Sequence, residues 1–118
     1  MTQEDKQLLL KELSTRLPYG VKVDVNFYDA TKELTCDLLR DLFLGEKQLR
    51  PYLRPMSSMT EEEEREVRIL WNEDFADKIS LYHCYPKTTD FYNKNHLDYR
   101  GLIEMGLALE SPEGMYKS

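Results

Sequence analysis

The chain is 118 residues long, enough for one domain, with 41% hydrophobic and 32% charged residues and with eight tyrosines and four phenylalanines to fill a core, which excludes a disordered chain. Its formal net charge of −6 excludes broad phosphate-backbone binding, which needs Lys and Arg to displace counterions, and leaves room only for a local basic patch. No apolar run approaches the ~20 residues of a membrane span, the first residues carry acids in place of a signal-peptide layout, and no repeat or low-complexity stretch occurs, so the expected location is cytoplasmic and off the membrane.

Thr2 caps a predicted helix with Asp5 at its third position. Leu9, Leu10, Leu13 and Leu17 then recur at helical spacing, with Glu4, Lys11 and Glu12 turned away, so residues 1–17 read as one amphipathic helix. Pro18 and Gly20 stop it. In "VKVDVNFY" the residues Val21, Val23, Val25 and Phe27 alternate with Lys22, Asp24, Asn26 and Tyr28, the period of a strand with one buried face. Asp29 to Lys32 read as a turn. The following stretch, "ELTCDLLRDLFLG", fits both patterns; Leu34, Leu38, Leu39, Leu42 and Phe43 favour helix slightly.

"LRPYLRPMSSMTEEEE" joins two arginines to an acidic block. Arg50 and Arg54 each precede a proline, which biases both toward extended backbone, and Pro51 and Pro55 lack a donor, so a continuous helix or a central strand is not expected. In an extended segment Arg50, Tyr52 and Arg54 share one side; alternatively Pro51 opens a single helical turn that Pro55 ends. The glutamates read as a helix start: Thr60 and Glu63 form a capping box, and Glu61 with Arg65 and Glu64 with Arg68 are four-residue pairs. Val67, Leu70 and Trp71 are its expected buried stripe, with Ile69 nearer the edge.

"KISLYHCYP" reads as a short strand or a continuation of that helix. Thr88 or Thr89 caps a further helix through about His96, and Asp98 caps a short one, "YRGLIEM", that Gly106 closes. Leu102, Ile103, Leu107 and Leu109 anchor this end. "ESPEGMYKS" reads as an exposed tail, frayed at its end.

Three blocks, "LLLKELSTRLPYGVKV", "LRPYLRPMSSMTEEE" and "HLDYRGLIEMGLALESPEGMYK", cover roughly half of the chain. On them the sequence resembles a group of short uncharacterised proteins encoded by gut Bacteroidales and their phages or mobile elements. The resemblance implies no catalytic residue, substrate or cofactor. It does imply a small β-meander between Val21 and Arg54, which raises the strand reading of residues 33–44 above helix, against the sequence's own periodicity.

Catalytic constellations are sparse. Cys84 with His96 and Asp98 or Asp90 would supply a nucleophile, a base and an orienting group, but His83 and Cys84, adjacent on a strand, point to opposite faces. Cys36, Cys84, His83 and His96 lack the close-pair spacing of a zinc module, and the two cysteines imply no disulfide framework. No phosphate loop, dinucleotide fingerprint or nucleophile elbow is present. Neither a metal nor a cofactor is implied.

The sharpest candidate binding residues are Arg50, Tyr52 and Arg54, joined in space by Tyr99 and Arg100, where guanidinium groups can grip carboxylates or phosphates beside aromatic rings. The ordinary reading is that these arginines pair with the nearby glutamates while the tyrosines pack with their hydroxyls at the surface. The expected architecture is a single α+β domain: an N-terminal helix, a small antiparallel β-meander or partial barrel over 21–55, a mostly helical region over 60–109, and a tail over 110–118. The expected function is that of a non-enzymatic interaction or accessory protein with a protein partner. The alternatives are a small enzyme or ligand-binding protein without a recognisable motif, and a nucleic-acid-associated factor using the Arg/Tyr patch.

Overall fold

A computed structural model describes residues 2–26, 31–76 and 86–116. The architecture is α+β with an N-terminal helix: α1 (Gln3–Arg16), β1 (Lys22–Val25), β2 (Thr31–Glu33), α2 (Cys36–Phe43), β3 (Leu49–Leu53), α3 (Glu61–Ala76), α4 (Pro86–Lys94) and β4 (Leu109–Glu110). The strand order is β2-β1-β3-β4. β1 is antiparallel to both neighbours and β4 is parallel to β3. The sheet is therefore mixed, and α2 interrupts the path from β2 to β3, so the chain does not trace a simple meander.

Local signals set several boundaries. The Thr2–Asp5 capping box forms, and Gly20 (φ 69°) ends the single 3₁₀ turn after α1. A Cβ on Gly20 would also stand 3.0 Å from a carboxylate oxygen of the exposed Glu33 side chain, which can swing aside, so it is the positive φ that favours glycine in this turn. Residues 36–43 are helical, with Thr35 accepting from the Leu38 N–H at the cap. The strand reading of residues 33–44 is thus corrected: only Glu33 belongs to a strand, and Leu38 and Leu42 bury one helical stripe as the periodicity asks. Thr31 and Lys32, expected in a turn, pair with β1 instead.

β3 lies between β1 and β4 despite Pro51, against the expectation that the prolines exclude an interior strand. The Asn26 N–H donates to the Gln48 carbonyl just before β3, which makes Arg50, opposite Asp24, the next hydrogen-bonded position and Pro51, opposite Val23, a non-bonded one. Pro51 turns its nitrogen to the other edge, where β4 begins only at Leu109 opposite Tyr52. No ladder donor is lost. Leu9 and Leu13 of α1, Val21, Val23 and Val25, Leu38 and Leu42 of α2, Leu49 and Leu53 of β3, and Leu102 and Leu107 build the core. Each is worth about 1.5–3 kcal/mol of apolar burial before entropy.

The C-terminal part departs further from expectation. α4 starts at Pro86, and its cap comes from α3: the Asp74 carboxylate accepts from the Lys87 N–H (3.1 Å), the Thr88 N–H (2.9 Å) and the Thr88 hydroxyl (2.8 Å). α4 ends in a Schellman arrangement, with the Leu97 N–H donating to Tyr92 and that of His96 to Asn93. His96 takes the left-handed position at φ 59° that glycine usually fills. "YRGLIEM" forms turns in place of a helix, because the Asp98 carboxylate accepts from the Leu102 and Ile103 N–H groups at 2.8 and 3.0 Å and closes the backbone locally. The tail is packed through Tyr116: Ser111 donates to the Leu53 carbonyl after β4, and the Tyr116 ring stacks on His96. "KISLYHCYP" falls outside the described residues up to Tyr85. Among the described residues no helix is long and apolar enough to cross a membrane.

Candidate functional site

The structure gives each expected binding residue an internal partner. Arg50 stands directly across from Asp24 and binds it at 2.9 Å; Asp24, assigned by alternation to the outer face, is buried. Arg54 grips both carboxylate oxygens of Glu63 at 2.7 and 2.9 Å and also donates to the Ser58 carbonyl. That fork, with the Thr60 cap, holds the Glu63 carboxyl down at about 2. It ties the end of β3 to the first turn of α3. Tyr52 contributes its carbonyl, which accepts from the Tyr116 hydroxyl at 2.6 Å, while the Lys22 N–H donates to the same hydroxyl at 2.9 Å. A side chain from the tail therefore replaces the next rung between β1 and β3, and burial pushes its phenol up to about 12.

Tyr99 and Arg100 lie in a second polar group. The Arg100 guanidinium sits 5.3 Å from the Tyr99 ring centre and its Nε is 2.8 Å from Glu12. Glu12 is buried, not turned to solvent, because it also faces Arg16 at 3.7 Å. Arg16 is 0% exposed; it donates to the Leu97 carbonyl at 2.7 Å and lies 5.7 Å from the Tyr99 ring centre. Arg54 reaches the same segment through backbone bonds to His96 and Asp98. Arg54 thus lies beside the segment that leads into Tyr99 and Arg100, Arg50 pairs with Asp24 on the sheet, and the three guanidinium groups are spent on separate partners.

The remaining chemistry is similarly engaged. Burial, with the charges of Arg16, Arg54 and Lys22, pushes the His96 imidazole down to about 4 and keeps it neutral. Asp98 is held by backbone donors and Asp90 accepts a hydrogen bond from the Tyr19 hydroxyl, so neither orients His96. Cys36 is an exposed thiol; His83 and Cys84 fall outside the described residues. Among the described residues no cluster of three His, Cys, Asp or Glu side chains is placed to hold a metal ion.

Two features are left open. One is a groove of ≈ 780 Å³ between the end of β3 and the tail, walled by Arg54, Ser58, Glu63, Glu110, Ser111 and Tyr116. The other is the outer side of α3. The expected stripe of Val67, Leu70 and Trp71 is corrected: Val67 and Leu70 are half-buried, but Trp71 is 46% exposed. Ile69 and Phe75 are 58% and 61% exposed, and Trp71 stacks on Phe75 with ring centres 5.7 Å apart. Glu61 with Arg65 and Glu64 with Arg68 form no ion pair. The sequence reading missed Glu12, Arg16, Asp74 and Tyr116. Only the four-residue spacing of Glu12 and Arg16 on a helix was a signal for any of them.

No family model matches the chain, and neither a curated protein nor a solved structure is similar to it.

Proposed function

We propose that this is a non-enzymatic interaction or accessory protein of the cytoplasm, linked to a phage or mobile element, that works by binding another protein. The observation that carries the reading is the exposed, stacked pair Trp71 and Phe75 on α3, since adjoining large apolar side chains at a surface are a common feature of docking sites. The commitment of Arg50, Arg54 and Arg100 to Asp24, Glu63 and Glu12 removes most of the support for nucleic-acid binding through those residues. Affinity capture from native host lysate at low and high salt, followed by reconstitution from purified components, tests it. A protein that forms a stoichiometric complex with the chain at both salts supports the reading; material lost entirely at high salt, or no partner at all, overturns it.

The groove beside Arg54 favours a second reading, a small-ligand-binding protein. A fragment screen by NMR that moves only resonances around Arg54, Glu110 and Tyr116 would support that alternative.

A further inference from the structure

We propose that the C-terminal tail is a latch that acid opens: Tyr116 leaves its seat against His96 when the imidazole takes up a proton, and residues 112–116 swing free while the core stays closed.

The seat is a cluster of groups that suits only a neutral imidazole. His96 is 9% exposed, and its Nδ1 has no hydrogen-bond partner among the described residues. The Tyr116 ring covers it, with ring centres 3.7 Å apart and planes 15° from parallel. Three cations act on the imidazole: Arg16 from α1, Lys22 from β1 and Arg54 just after β3. The carboxylate nearest in sequence, Asp98, is engaged by the Leu102 and Ile103 N–H groups, and Glu63 is engaged by Arg54. The Tyr116 phenol, pushed up to about 12, keeps its proton throughout. The C-terminal end of α4 favours a cation at this position, but burial and three like charges outweigh it and hold the docked imidazole neutral down to about 4. Removing the tail admits water to the ring and restores its ordinary affinity for a proton, so acid favours the released tail.

Little else holds the tail. After Ser111, its hydrogen bonds to the rest of the described chain are those of the Tyr116 hydroxyl to Lys22 and Tyr52, and a 3.4 Å bond from Lys22 Nζ to the Met115 carbonyl. No residue of 112–116 belongs to the apolar core. Release also leaves no stranded backbone group. In the β1–β3 pair Asp24 opposite Arg50 is a bonded position and Val23 opposite Pro51 is not, so Lys22 and Tyr52 come next in bonding phase and can close on each other once the phenol is gone. The same N–H and carbonyl thus serve two arrangements, as a two-state element requires. Release takes with it the wall of the groove formed by Pro112 to Tyr116.

Saturation-transfer NMR on the ¹⁵N-labelled chain tests the latch. An imidazole that titrates at 6.5 when released and at about 4 when docked raises the ratio of released to docked tail about fiftyfold between pH 7 and pH 4.5. That rise is expected at Gly114, Met115 and Tyr116, in step with titration of the His96 ring, while the amides of Leu9, Val23 and Leu53 stay unchanged. Tyr116→Phe, which keeps the ring and removes the hydroxyl, is expected to raise the released fraction at both pH values and to keep the fold-change; His96→Gln is expected to cut the fold-change below about threefold. A tail that stays docked at pH 4.5 in both the parent and Tyr116→Phe, a tail that is released only together with the core, titration of His96 out of step with the tail, or an undiminished rise in His96→Gln overturns the proposal.

Discussion

The sheet with α1 and α2, and the α3–α4 pair, are stabilised differently. In the first region leucines and valines from the sheet and both helices close a continuous core, and the polar groups inside it, Arg16 with Glu12 and Asp24 with Arg50, are paired. In the second, α3 buries only Asp74 and α4 buries Thr88, Phe91 and Asn93. Its organisation comes from a carboxylate capping a neighbouring helix and from the Arg54–Glu63 fork. Polar contacts define the geometry of such a pair without consuming its apolar side chains, which leaves Ile69, Trp71 and Phe75 outside.

The largest effect that would sharpen this contrast is at Arg16. Arg16→Ala leaves the Leu97 carbonyl without its donor and Glu12 with Arg100 as its remaining counter-charge, and is expected to cost about 3 kcal/mol in urea denaturation. A loss below about 1 kcal/mol would put the cluster outside the stability of the first region. His96 supplies the next effect through pH. The unfolded chain binds its proton near 6.5 and the folded chain near about 4, so stability present above 6.5 falls as pH drops through that window, by about 3 kcal/mol at most. The urea midpoint should fall between pH 7 and pH 4.5 in the parent and move less in His96→Gln. Glu63, held at about 2 against an ordinary 4.5, extends the decline below pH 4.5.

Asp74→Ala isolates the second region. Removing the cap from Lys87 and Thr88 is expected to cost about 2 kcal/mol, with hydrogen exchange accelerating in α4 before the sheet. Uniform acceleration would mean that the two regions unfold as one. Tyr116→Phe, which leaves the Lys22 N–H and the Tyr52 carbonyl without their shared hydroxyl, should cost about 1–2 kcal/mol. The smallest effect belongs to Ile69→Ala with Phe75→Ala, within about 0.5 kcal/mol of the parent. A clear loss of stability there would show these side chains to be structural.

Much of the local structure was legible. Both capping boxes, α1, β1 and the start of α3 follow from short-range chemistry between residues three or four apart. Residues 36–43 follow the leucine period and not the strand that the family likeness implies. The cost of Pro51 is not local, because it depends on which edge of β3 its nitrogen faces, which the register with β1 decides. The roles of the candidate residues were not legible, because Asp24, Glu63 and Glu12, the partners of Arg50, Arg54 and Arg100, lie in three other segments.

By itself the sequence determined where helices begin, which stretches can bury a stripe, and the acidic balance that disfavours phosphate. These depend on neighbours a few residues away or on sums over the chain. Only the tertiary structure decided that Glu12, Arg16 and Asp24 are inside, that Asp74 caps a helix other than its own, that Tyr116 bridges two strands, and that Trp71 is outside. Each of those outcomes is set by a partner distant in sequence, because a buried polar group is tolerable only where the fold brings it a counter-charge or a hydrogen bond.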